Sequence, residues 1–114
     1  MHAPHDEAVI QCAAEILSHQ LTVPPSPARI GADGRPELCL AAAVAVAGFI
    51  TRGEPLEAER LVHDLVQTRS KSRLRRAFLA LGWTAEDCDT RLEFNDSRDD
   101  NERKEEIVAF LARR

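Results

Sequence analysis

An all-α fold, five or six helices around one central apolar helix, is what the sequence predicts, on three observations. Apolar residues recur at helical spacing through most of its 114 positions. One stretch, Leu38 to Ile50, is apolar on every side and rich in alanine, as a helix must be when other helices surround it. No segment of four or more residues alternates with period two among β-branched or aromatic residues, and no Asn-Gly hairpin turn occurs. The length suits one domain over 1–114 and is short for two.

The first helix is expected from Asp6 to Leu21, with Ile10, Ala13, Ala14, Leu17 and Leu21 on one face. A loop over 23–35 follows, where Pro24, Pro25 and Pro27 join Gly31 and the turn pair Asp33-Gly34. A loop of that length is uncommon in a small domain unless it works or moves. Helix two is predicted from Pro36 to about Thr51, with Pro36 in the first turn and Glu37 at the positive dipole end. Its alanines and Gly48 let neighbouring helices approach closely.

Gly53 then stops helix two and Pro55 starts helix three, whose narrow stripe is Leu61, Val62, Leu65 and Val66. Helix four carries Leu74, Ala77, Phe78 and Leu81 on one face and stops at Gly82. Thr84 with Asp87 resembles a capping box opening helix five through Cys88, Leu92 and Phe94. Asp99 with Glu102 is expected to cap helix six, with Ile107, Phe110 and Leu111 facing inward and Arg113 and Arg114 at its negative end.

Composition narrows the function class. Net charge is -4, and aromatic residues are 4% of the chain with no tyrosine, a poor basis for a basic nucleic-acid binder or a base-stacking platform. The charge is unevenly spread: residues 1–57 hold 3 basic and 7 acidic side chains, and 58–114 hold 12 of each. Cys12, Cys39 and Cys88 form neither a disulfide framework nor a CxxC motif. With no secretory leader visible, reduced thiols in a cytoplasmic protein are expected. The apolar run of 13 residues spans about 20 Å as a helix, too little for a bilayer core of about 30 Å.

Cys39 is the first candidate for chemistry, because the start of a helix lowers a thiol pKa and favours the nucleophilic thiolate. Its order-compatible partners are His63 as base and Asn95 or Asp96 as orienter. Helical phase opposes this, since His63 falls about 130° from the apolar stripe of helix three at about 100° per residue. The plainer reading is a small buried side chain at a tight helix contact. Asn95 and Asp96 are read as turn residues, Asn95 in the left-handed position that ends a helix. The sharper alternative has both reach the start of helix two and form one polar site with Cys39 and the long loop.

Arg69, Arg73 and Arg76 fall on one edge of helix four, where Arg geometry suits phosphate oxygens. Against this stands a solvated face paired with the chain's own acids. Trp83, after Gly82, is expected to plug a corner of the core, with a partner surface as the alternative. The acidic turn from Asn95 to Glu102 lacks calcium-loop spacing. Cys12, Glu15 and His19 share a face of helix one, but Cys12 and His19 sit about 10 Å apart along the axis, too far for one zinc ion. No metal or cofactor is therefore expected.

Four local features, an alanine-rich first helix, Asp33-Gly34-Arg35 leading to Cys39-Leu40, Leu81-Gly82-Trp83, and Phe94-Asn95-Asp96 before a closing helix, resemble a small bacterial and bacteriophage helical family of unknown function. The Pro-rich segment Val23 to Pro27 and Arg98-Asp99-Asp100 depart from that family's pattern. The resemblance implies a small α domain and marks Cys39, Asn95 and Asp96, without supplying an activity. The leading expectation is a non-enzymatic module acting by protein association, as a homodimer or with a protein partner, through an apolar groove beside helix two. A Cys39-dependent thiol hydrolase or transferase, and weak phosphate-backbone binding by the basic face of helix four, are the alternatives.

Overall fold

The computed structural model describes residues 2–25, 27–99 and 102–112 of the chain. At its centre lies α2 (Leu40–Thr51), buried at every position from Leu40 to Phe49. It packs against α1 (Glu7–Ser18), α3 (Pro55–Thr68), α4 (Lys71–Ala80) and α5 (Ala85–Asp96), while α6 (Arg103–Ala112) lies on α1. The fold is thus mostly helical, as expected, and the apolar run is its core. Small side chains make the crowding possible. A Cβ on Gly48 would lie 2.5 Å from the Trp83 ring and 2.9 Å from Leu81 Cδ1, so only glycine fits.

Local signals set most of the helix ends. Gly53 (φ 79°) and Gly82 (φ 82°) take the left-handed conformation just past α2 and α4, which side chains with a Cβ avoid. Pro55 opens α3. The expected capping box at α5 is present: Asp87 N–H donates to Thr84 Oγ1 at 3.1 Å, and Thr84 N–H donates back to Asp87 Oδ2 at 3.4 Å. Ser70 Oγ accepts from Arg73 N–H at 3.0 Å at the start of α4. Arg69 is not on α4; with φ 52° it is the residue that ends α3.

The 23–35 segment is not all loop. A short antiparallel hairpin, β1 (Ala28–Ile30) and β2 (Pro36–Leu38), pairs Arg29 with Glu37 around the turn at Asp33-Gly34. Helix two consequently begins at Leu40, with Pro36 and Glu37 in a strand rather than in its first turn. The cause lies in side-chain bonds made at a distance. Glu37, 2% exposed, accepts from Thr22 N–H at 3.1 Å and Thr22 Oγ1 at 2.7 Å, with Arg29 Nε at 3.4 Å. Gln20 donates to Leu38 C=O at 3.0 Å and accepts from Leu38 N–H at 2.9 Å. A helix through Pro36–Leu38 would forfeit both sets.

Three further expectations need correcting. Helix one ends at Ser18, so Leu21 leaves the apolar face and is exposed. Phe110 does not point inward; half exposed, it stacks on Phe94 at 4.7 Å. Asn95 does not end α5 in a left-handed conformation, because the helix continues through Asp96. Asp100, Arg113 and Arg114 lie outside the described residues.

Candidate functional site

The residues around Cys39 form a closed clasp. Cys39 precedes α2, and its Sγ accepts from Ala42 N–H at 3.5 Å. Asn95, on the last turn of α5, accepts from Leu40 N–H at 2.9 Å through Oδ1 and donates to Pro24 C=O at 3.0 Å through Nδ2. Its side chain therefore does reach the start of helix two and the long loop. Asp96 turns the other way, with one oxygen 3.5 Å from Asn95 Nδ2 and the other 3.5 Å from Lys71 Nζ.

Chemistry at this thiol has neither prerequisite of a nucleophile. Cys39 is 0% exposed, and burial pushes its pKa up to about 12, outweighing the pull of the Ala42 and Ala41 amides. His63, its order-compatible base, is exposed on α3 and lies 3.8 Å from Asp64, on the solvent side that helical phase indicates. Cys88 is buried too, and burial raises its thiol likewise to about 12.

The cationic edge is largely engaged within the molecule. Arg73 Nε lies 3.0 Å from Asp64, Arg75 Nε 2.6 Å from Asp89, and Lys71 Nζ 3.5 Å from Asp96. Arg76 is exposed on α4 and Arg69 stands at the end of α3, so only Arg73 and Arg76 share a helix, and the three arginines have no common pairing. Trp83 belongs to the core: it is 7% exposed, meets Phe78 edge-on at 5.3 Å, and donates from Nε1 to His2 C=O at 2.7 Å. Just past the end of α1, His19 Nδ1 sits 2.8 Å from Glu15 C=O. Among the described residues, no three His, Cys, Asp or Glu side chains gather as a metal site would require.

The open feature is an apolar groove beside α2. Its larger arm, about 630 Å³, runs between α2 and α3 and is walled by Val46 and Ile50 on one side and Ala58, Val62 and Val66 on the other. A second arm of about 370 Å³ lies toward the end of α1, with Ile16 and Leu38 in its walls. The arms meet at Pro36, Val46, Ile50 and Val62, and the hairpin contributes residues to both. Ile30 at the hairpin and Ile50 on α2 remain 52% and 43% exposed, although aliphatic side chains of this size normally find cover.

Glu59 and His63 stand on the α3 arm, and Asp33, Arg35 and His19 on the α1 arm. The half-buried Val62 and Val66 belong to a stripe visible in the sequence, whereas Ile30, Arg35, Pro36 and Glu59 carry no sequence pattern that marks a site. Their signal is faint: the Asp-Gly turn marks a hairpin tip, but the strands beside it are three residues each. No helix among the described residues is long and apolar enough to cross a membrane. No protein-family model, curated protein or solved structure matches the chain.

Proposed function

We propose that this chain is a non-enzymatic protein-association module whose binding surface is the groove beside α2, and that it works in the cytoplasm. The carrying observation is the pairing of an open, apolar groove rimmed by exposed Ile30 and Ile50 with a Cys39 site sealed from solvent. Burial of an apolar groove by a partner gains about 25 cal/mol per Å² before association costs. All three cysteines are free thiols, which favours a reducing compartment. Of the three residues that the family resemblance marks, Cys39 and Asn95 clasp α2, α5 and the loop together, while Asp96 turns toward Lys71.

A photo-crosslinking residue at His63, on the rim, tests the reading in living cells. A discrete adduct is expected, lost when Ile50→Asp is added and absent when the crosslinker sits at Leu79, an exposed position on α4 away from the groove. Circular dichroism checks that Ile50→Asp keeps the fold. Absence of an adduct from His63, or an adduct indifferent to Ile50→Asp, overturns the proposal.

A further inference from the structure

We infer that the occupant of the groove is a second copy of this chain, seated about a two-fold axis so that Glu59 of each copy meets the Arg35 of the other. The inference rests on the association reading and adds the partner and its orientation. Two-fold contacts are self-complementary: if residue i touches j, then j touches i. A surface suited to its own copy must therefore offer both knob and hole, and opposite charges on either side of the axis.

This surface offers both. Ile30, half exposed at the hairpin, projects beside the hole that Val46, Ile50, Val62 and Val66 leave open. Glu59 stands only on the α3 arm and Arg35 only on the α1 arm, with the shared apolar floor between them. Both are exposed, and neither side chain has an ion-pair partner among the described residues. Away from the groove, exposed Lys71 and half-buried Arg75 find an acid within their own chain, while Arg76 stands exposed on α4. The other ionisable rim groups have partners at hand: Asp33 accepts from Arg35 N–H at 3.1 Å, His63 lies beside Asp64, and His19 beside Glu15 C=O. A partner helix of one sign of charge would satisfy either Glu59 or Arg35 and be repelled by the other, whereas a second copy turned by two-fold symmetry satisfies both side chains.

Sedimentation equilibrium and light scattering of the purified chain provide the test. The wild type is expected to move from 12.7 kDa to twice that mass as concentration rises. Glu59→Arg or Arg35→Glu alone is expected to raise the dimer Kd tenfold or more, because each reversal sets two like-charged contacts in the dimer. Mixing the two single variants restores the dimer, since each then supplies the charge that the other lacks. A wild type that stays monomeric at all concentrations, a dimer indifferent to both reversals, or a mixture that fails to recover would each overturn the inference. A monomeric wild type whose His63 crosslinker still captures a different protein in an Ile50-dependent way overturns the second copy alone. A monomer without that adduct overturns the association reading as well.

Discussion

Replacing Asn95 by alanine is expected to remove a large share of the molecule's stability without touching its surface. The side chain is fully buried and answers two backbone groups, the N–H of Leu40 and the C=O of Pro24. Alanine leaves both groups without a partner in a place water does not reach. A buried polar group deprived of its partner costs about 1–3 kcal/mol, and the lost side-chain volume adds to this. Two such groups come to about 2–6 kcal/mol, against about 5–15 kcal/mol for a whole domain. At about 2.1 cal/mol/K of unfolding entropy per residue, 114 residues lose about 8–25 °C in Tm. Urea unfolding followed by circular dichroism and by Trp83 fluorescence reads the change as a lower midpoint at constant slope. Asp96→Ala, next along the helix and exposed, is the control and is expected to cost about 1 kcal/mol or less. A loss under about 1 kcal/mol for Asn95→Ala would refute the clasp, since no accounting of two orphaned buried groups yields so little.

Gly48→Ala is expected to destabilise by about 1–3 kcal/mol despite alanine's advantage of about 1 kcal/mol in a helix, because the new methyl meets Trp83 and Leu81; a thermal melt and the Trp83 emission maximum check it. In the native protein at pH 8, iodoacetamide is expected to label Cys12, which is partly exposed, well ahead of the buried Cys39 and Cys88; rapid labelling of Cys39, located by mass spectrometry, would refute its sealing. The same thiols set an alkaline limit. Their folded pKa values lie near 12 against an ordinary 9.0, so the folded state holds the protons more tightly. Their contribution is whole below pH 9 and is lost as pH rises from 9 toward 12. With no tyrosine to titrate there, Cys39→Ala/Cys88→Ala is expected to flatten the fall of Tm across that window.

The parts of the fold that were legible in the sequence are those governed by neighbours in the chain. The Thr84–Asp87 box, Gly53 with Pro55, and Gly82 after Leu81 each act within a few residues, and each ends or begins a helix where the pattern places it. The hairpin was illegible because its short strands are held by Gln20, Thr22 and Glu37, residues that carry no strand signature. Asn95 looks like a turn residue in the sequence for the same reason: its partners Leu40 and Pro24 stand 55 and 71 positions away, and nothing beside it in the chain announces them. The groove was half legible, its α3 wall through the Val62 and Val66 stripe, its hairpin wall not at all. Charge patterning did better, since much of the basic run is engaged by acids of its own chain.

Gln20 has a consequence for how copies of this chain can and cannot meet. In the hairpin register, Leu38 turns its N–H and C=O away from β1, to the side where a further strand would add. Gln20 occupies both groups in the manner of a one-residue strand, and Pro36 beside it has no N–H to offer. That edge is sealed against templated growth: an incoming extended segment would have to evict a buried carboxamide before forming its first ladder bond. An open sheet edge invites pairing without end, whereas two-fold contacts between side chains close on themselves. A chain that exposes aliphatic residues at a hairpin, yet seals this edge with an amide from the preceding segment, is protected there from runaway strand addition.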